Sequence, residues 1–139
     1  MWERYNPREL RPLRLPEALA DAMDLYSSMR GARKTEIFDS AILALMNIWE
    51  KDKNKVMTLL RENPPPVSKK SKRWCVRFTG ERSFEWVCDL EREYAAVFST
   101  NDFVKRALSW YLREMGFLKA IDVQPPFYQQ IKKSYTATG

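Results

Sequence analysis

One short segment of the chain alternates cationic and apolar side chains in a pattern suited to binding a ligand through hydrogen bonds. Alternate positions of this segment are occupied by the apolar residues Trp74, Val76 and Phe78, and the positions between them by Arg73, Cys75 and Arg77. Because successive side chains of a β-strand point to opposite faces, the alternation predicts a strand with one apolar and one arginine-bearing face. An arginine can donate two parallel hydrogen bonds to O6 and N7 of guanine. Recognition through hydrogen bonds is the chemistry that this face offers.

The residue types that most enzymes need are scarce. The 139 residues include no histidine, four glycines and two cysteines, Cys75 and Cys88. The lack of histidine excludes imidazole catalysis and imidazole metal ligands, and so few glycines leave no phosphate-binding loop. The cysteines lack CxxC spacing. Glu36 and Asp39 share a helix face, a weak signal for acid–base catalysis. We therefore predict no enzyme, no catalytic residue, no metal and no cofactor.

Net charge and hydropathy limit the kinds of partner that the protein can have. The chain has 24 Lys and Arg against 18 Asp and Glu, a net charge of +6, which makes an anionic partner plausible. No apolar run approaches the roughly 20 residues that a membrane span needs, and the N-terminus has no signal-peptide core. We expect a cytoplasmic protein with no membrane partner, made of one compact domain or of two very small ones that share a core.

The elements that must position the arginine face follow from helical spacing of apolar residues. In the first half, Leu13-Arg14-Leu15-Pro16 precedes an apolar stripe that Gly31 ends with a left-handed cap. Thr35 suits the N-cap of a second stripe. That stripe could continue to Leu60, as one long helix or as a kinked pair. The first unit therefore covers residues 1–62.

The second half repeats the order after a break. Asn63-Pro64-Pro65-Pro66 cannot continue a helix, and a basic stretch follows, so residues 63–72 are predicted to be a linker. Residues 73–116 hold the alternating strand and two further helical stripes, the last one starting at Ser99-Thr100-Asn101-Asp102. Residues 117–139 are assigned to a C-terminal tail.

The two halves align with each other. Thr35–Ile42 matches Asn101–Leu108 at a constant offset of 66 residues, and Arg14-Leu15 matches Arg77-Phe78 at an offset of 63. Each half is thus a strand followed by two helices. A single unit of about 40 residues buries too little surface to fold alone, so the two copies are expected to fold together.

This duplicated order resembles the ribbon-helix-helix fold of the MetJ/Arc superfamily, and the tandem arrangement resembles TraY-like accessory proteins of plasmid conjugation. The resemblance rests on Leu13–Pro16, Gly31, Thr35–Phe38 and Ala41, and on Arg73–Phe78, Asn101–Val104 and Ala107. It implies a mainly α protein with a short two-stranded antiparallel β-ribbon, in which two ribbon-helix-helix repeats form an intramolecular pseudo-dimer.

The function implied by the resemblance is sequence-specific binding of double-stranded DNA through the ribbon in the major groove. The protein would act as a transcriptional repressor or as an accessory factor of a DNA complex. A plasmid, phage or other mobile-element origin in a prokaryote fits the small size.

The resemblance also implies which residues contact the DNA. Base readout falls to Arg73, Cys75 and Arg77 in the second copy. The matching positions in the first copy are Leu10, Pro12 and Arg14, of which Arg14 is the candidate reader. Arg11 stands where an apolar residue is expected, and Pro12 removes a ladder donor, so the first strand is expected to be short, bulged or poorly paired. An asymmetric DNA site follows.

Phosphate contacts are expected at two kinds of place. The second helices, with Thr35 and Asn101 as their expected N-caps, offer free amides beside Lys34 and Thr35 in one copy and Thr100 and Asn101 in the other. Lys70 and Lys72 in the basic linker add contacts that do not depend on sequence.

A different class of function stays open. The irregular first strand, the apolar stripe reaching Leu60, and Phe127 and Tyr128 in the tail would also suit a protein–protein interaction module. Such a module, antitoxin-like or a phage or plasmid inhibitor, would keep the fold without specific DNA binding. Self-association on DNA, or a protein partner bound through the long helix or the tail, is compatible with either function. Steep salt dependence and sequence preference of DNA binding would distinguish the two.

Overall fold

The computed structural model describes residues 11–77, 80–94 and 99–119, and these ranges are mainly helical. They contain two strands and five helices, in the order β1 (Arg11–Pro16), α1 (Glu17–Arg30), α2 (Lys34–Lys51), α3 (Lys53–Glu62), β2 (Ser71–Val76), α4 (Glu81–Tyr94) and α5 (Thr100–Glu114). The predicted mainly α class with a two-stranded ribbon is confirmed. Strand β2 begins at Ser71, inside the segment predicted to be linker.

The two strands form an antiparallel ribbon with continuous pairing. The register runs from Arg11 opposite Val76 to Pro16 opposite Ser71. The amide of Glu17 donates to the carbonyl of Lys70 at 3.0 Å, one pair beyond the strand end. Hydrogen-bonded and non-hydrogen-bonded pairs alternate along an antiparallel ladder. Because Glu17 and Lys70 form a hydrogen-bonded pair, Pro16 and Pro12 stand in pairs that exchange no N–H···O bonds. The expected short or bulged first strand is wrong, because neither proline removes a ladder hydrogen bond.

The inner face of the ribbon covers the hydrophobic core. Leu13 and Leu15 are at most 5% exposed, and Trp74, opposite Leu13, is 8% exposed. The indole of Trp74 packs edge-on against the ring of Phe38 in α2, with centroids 6.0 Å apart. This contact anchors the ribbon to the N-terminal part of α2, consistent with the alternation in the sequence.

The helices pack beneath the ribbon across the two halves of the chain. Helix α1 contacts α2 and α5, and α2 also contacts α4, α5 and α3. Their facing side chains are fully buried, among them Leu19, Met23, Phe38, Ile42, Leu45, Leu108 and Leu112. Burial of this shared apolar surface is the main force that holds the two halves together.

Helix α1 is capped by residues that lie some fifty positions further along the chain. Pro16 precedes α1 and offers no side-chain cap. The amide of Ala18 instead donates to Oγ of Ser68 at 3.0 Å, and the amide of Glu17 donates to the carbonyl of Lys70. The linker therefore satisfies two of the free N–H groups at the start of α1. At the other end, Gly31 has φ 65° and forms the predicted left-handed cap.

The long apolar stripe of the first half is divided between two helices. Helix α2 ends at Lys51, and Asp52 is in an extended conformation. The carboxylate of Asp52 accepts a hydrogen bond from the amide of Lys55 at 3.2 Å and caps α3. The apolar stripe thus forms two helices, because the N-cap at Asp52 ends one helix and starts the next.

Two arginines of α5 hold the chain that leaves α3. Nη2 of Arg113 donates to the carbonyl of Pro64 at 2.7 Å, and Nη1 donates to Oδ1 of Asn63 at 3.2 Å. Nη1 of Arg106 donates to the carbonyl of Leu60 at 2.9 Å. Partial burial lowers the pKa of Arg113, but the guanidinium still carries its charge at neutral pH. These contacts fix the start of the proline-rich segment against the second half.

Within the described ranges, no helix is long and apolar enough to cross a membrane. Residues 120–139, with Phe127 and Tyr128 of the predicted tail, lie outside them, as does Phe78.

Candidate functional site

The outer face of the ribbon places two arginines directly opposite each other. Arg14 of β1 pairs with Arg73 of β2, and both side chains are exposed. Counted from the hydrogen-bonded pair Glu17–Lys70, Arg14 and Arg73 form a non-hydrogen-bonded pair. In such pairs the Cα atoms approach to about 4.5 Å, and the side chains are closer than in hydrogen-bonded pairs. Nη1 of Arg14 donates to Oγ of Ser71 at 3.2 Å. No carboxylate in the described part of the chain is paired with Arg14 or Arg73.

The arginine pair opens into a groove that reaches the start of α5. An open hollow of about 370 Å³ is lined by Pro12, Leu13, Arg14, Arg73, Asn101 and Lys105. We call this set of residues the arginine groove. It brings together three residues that the sequence predicted for separate contacts, Arg14, Arg73 and Asn101. Its lining residues include three cations and no acid, so the groove favours an anionic ligand.

Lys105 is a member of the arginine groove that sequence reasoning missed. It lies four residues after Asn101, and residues at this spacing share one face of a helix. Lys105 is half-buried, and no hydrogen bond or ion pair of its ammonium group occurs within the described ranges. The spacing from Asn101 was the signal that could have identified it.

Cys75 and Arg77 continue the outer face away from the arginine groove. Cys75 is half-buried opposite Pro12, and Arg77 is exposed just beyond the end of β2. Arg77 is four residues from Arg73, roughly 13 Å along an extended chain. Arg73 and Arg77 therefore do not act at one point. Leu10, which was matched to Arg73 between the copies, lies outside the described residues.

The start of α2 differs from the prediction. The helix begins at Lys34 with Arg33 as its N-cap residue, so Thr35 is in the first turn and is not the cap. The predicted cap is wrong because the extended backbone ends at Arg33, two residues before Thr35. Nζ of Lys34 forms an ion pair with Oδ1 of Asp24 at 2.7 Å. This cation is consequently partly neutralised within the protein.

The start of α5 has a different cap from the one expected. Oγ of Ser99 accepts a hydrogen bond from the amide of Asp102 at 3.1 Å, so Ser99 is the cap and Asn101 is not. Thr100 is the first helical residue, and its side chain is not among those described. The exposed Asn101 side chain is thus free of a capping role and faces the arginine groove.

The two linker lysines occupy different positions. Lys72 pairs with Leu15 in the ribbon and therefore lies on the opposite face from Arg73. Its Nζ is 2.7 Å from Oδ1 of Asp21, and this hydrogen bond and charge raise the pKa of Lys72. Lys70 is exposed in a separate open groove beside Glu17 and Asp21. Neither lysine lines the arginine groove.

An apolar groove lies where the described chain ends. It has a volume of about 450 Å³ and is lined by residues that include Leu25, Pro66, Phe117, Leu118 and Lys119. Phe117, Leu118 and Lys119 are the described residues of the predicted tail, through which a protein partner could bind.

Comparison with known proteins adds no relative. A scan against protein-family models matches no family, and searches of curated proteins and of solved structures find no match. Among the described residues, no group of three or more Cys, Asp and Glu side chains could hold a metal ion. The interpretation of the site therefore rests on its own geometry and charge.

Proposed function

We propose that this protein binds double-stranded DNA with sequence preference, through the outer face of the ribbon in the major groove. The observation that carries the proposal is the exposed Arg14–Arg73 pair in a groove lined by cations without acids. The major groove is wide enough for a two-stranded ribbon, and arginine is the side chain that most often reads guanine there. A transcriptional repressor or an accessory factor of a DNA complex would use such a site.

The arginine pair is costly to folding unless it has a ligand. Like charges directly opposite each other on a ribbon destabilise it, and this pair is of the type with the closest side chains. Leu13 and Trp74, one position away, already provide the core contact. The outer face thus carries a local conflict that an anionic partner would relieve.

The packing of the helices supports an intramolecular pseudo-dimer of two ribbon-helix-helix units. In this interpretation, β1-α1-α2 forms one unit and β2-α4-α5 forms the other. The first helix of each unit then packs on the second helix of the other unit, since α1 contacts α5 and α4 contacts α2. Each unit buries its apolar faces only in the presence of its partner.

The ribbon register supports an asymmetric DNA site. Pro12 and Cys75 are paired in the ribbon, and the 63-residue offset between the repeats also makes them equivalent positions. A pair of equivalent residues lies on the twofold axis of a dimer, so this pair marks the pseudo-twofold axis. Arg14 and Arg73 then lie together on one side of the axis, and Arg77 lies on the other. Two different sets of side chains would meet the two half-sites.

Selection of bound sequences from a random duplex pool, at about physiological salt, tests the proposal. Arg73→Ala is run beside the parent, and Arg61→Ala, which removes an exposed arginine of α3, is the matched control. We expect an asymmetric motif that loses discrimination at one base pair in Arg73→Ala alone. Weak binding that ignores sequence would refute the proposal and favour the protein–protein interaction module.

A further inference from the structure

We infer that the ribbon holds DNA mainly from one end, where Arg14, Arg73 and Lys105 converge, so that phosphate contacts concentrate on one side of the pseudo-twofold axis. The inference rests on the proposed function. It adds that the two ends of the ribbon bind DNA unequally and that Lys105 is a binding residue. It follows from the charges at the starts of α2 and α5 and from the groove that joins α5 to the ribbon.

The two second helices carry opposite charges at equivalent positions. At the 66-residue offset, Asp39 of α2 takes the place of Lys105 in α5. In the proposed pseudo-dimer, α2 stands at the far end of the ribbon as α5 stands at the near end. Asp39 is only 9% exposed, and α2 thus has no cation at the position where α5 has Lys105.

Other charges near the two helix starts increase this difference. Glu36 adds a second acid to the first turns of α2, and Lys34 is already paired with Asp24. In the first turn of α5, the single acid Asp102 is paired with Arg106 at 2.8 Å. The start of α5 therefore leaves the ammonium group of Lys105 uncompensated, whereas α2 has no cation at the equivalent position.

The position of Lys105 suits a phosphate contact beside a base contact. The arginine groove holds the Arg14–Arg73 pair at the ribbon and Lys105 at the helix, with Asn101 lining it as well. A DNA strand whose bases face the arginines would present its backbone to the helix side of the groove. Contact of Lys105 with a phosphate would release one counterion from the DNA, and its contribution to affinity would therefore fall as the salt concentration rises.

Two variants isolate Lys105. Lys105→Ala removes the cation at a helical position where alanine is well tolerated, and Lys105→Gln removes the charge but retains most of the chain length. Lys51→Ala is the matched control, because it removes an exposed lysine at the opposite end of α2. Far-UV circular dichroism verifies that each variant keeps the helical content of the parent.

The experiment combines salt-dependent titration of a duplex with phosphate ethylation interference on the selected site. We expect both Lys105 variants to reduce the slope of log affinity against log salt by about one, and Lys51→Ala to leave it unchanged. Interfering phosphates should lie mainly on one side of the site centre, and those nearest the arginine groove should lose their effect in Lys105→Ala.

Each other result has a distinct meaning. Equal interference on both sides of the centre, or Lys105 variants that match Lys51→Ala, would overturn the inference and leave DNA binding intact. A parent protein that shows no salt-dependent binding to any duplex would overturn the inference together with the proposed function.

Discussion

At the scale of single residues, Arg73 separates binding from stability. Its side chain is exposed and faces Arg14, so removal of its charge relieves repulsion and leaves the core untouched. We expect Arg73→Ala to raise the free energy of unfolding by up to about 1 kcal/mol. Specific DNA affinity should fall by about 1–3 kcal/mol. Urea denaturation and titration of the selected duplex measure the two effects, with Arg61→Ala as control, and a destabilised variant would contradict this assignment.

Trp74, the neighbour of Arg73 on the opposite face, should show the reverse behaviour. It is 8% exposed and packs edge-on against Phe38. Trp74→Ala should lower the free energy of unfolding by about 3–5 kcal/mol, because it removes a large buried side chain from beneath the ribbon. Trp74→Phe retains most of that volume and should cost clearly less. A denaturation midpoint equal to that of the parent would show that this contact does not support the fold.

The sequence predicts the orientation of these residues but not their pairing. Period-2 alternation was sufficient to place Arg14 and Arg73 outward and Leu13, Leu15 and Trp74 inward. The register that sets Arg14 against Arg73 depends on contacts between residues nearly sixty positions apart, which local pattern does not encode. The spacing from Asn101 places Lys105 on the same face of α5, but only the folded chain shows that this face lines a groove with Arg14 and Arg73.

At the scale of elements, helix starts are the least predictable feature. Thr35 and Asn101 were suitable caps by residue type, yet the helices begin after Arg33 and Ser99. For α1, the hydrogen-bond acceptors come from Ser68 and Lys70, which no local pattern can reveal. The end of α1 was easier to predict, because Gly31 adopts the positive φ that glycine tolerates best.

The break between α2 and α3 depends on Asp52. Its carboxylate accepts the amide of Lys55, and Asp52→Ala leaves that donor without its cap. We expect a loss of about 1 kcal/mol in the free energy of unfolding, and a much smaller loss for Asp52→Asn, because asparagine caps helices as well as aspartate does. Urea denaturation of the two variants compares them directly. Equal losses would indicate that the charge of Asp52, and not its capping oxygen, sets the stability.

At the scale of the whole molecule, neither half has a complete core. The ribbon takes one strand from each half, and α1 and α4 both pack on helices of the other half. Val67, whose side chain is fully exposed, is a suitable place to introduce a protease site. The two fragments of the cleaved protein should remain associated and unfold with a midpoint that depends on protein concentration.

Circular dichroism of the separated fragments completes that test. Each isolated fragment should lose most of its helical signal, because about half the chain buries too little apolar surface to fold alone. Mixing the fragments should restore the signal. An N-terminal fragment that unfolds cooperatively without its partner would contradict a shared core.

The cap of α1 has a consequence for synthesis on the ribosome. Ser68 and Lys70, which satisfy the first amides of α1, and β2, which pairs with β1, are made long after α1 itself. At about 5–20 residues per second, β1 waits on the order of 3–12 s until β2 is complete, and α1 waits on the order of 2–8 s for Ser68. During that interval the apolar surfaces of α1 and α2 that α5 and α4 cover in the folded chain remain exposed, so we expect chaperones to bind the nascent N-terminal half.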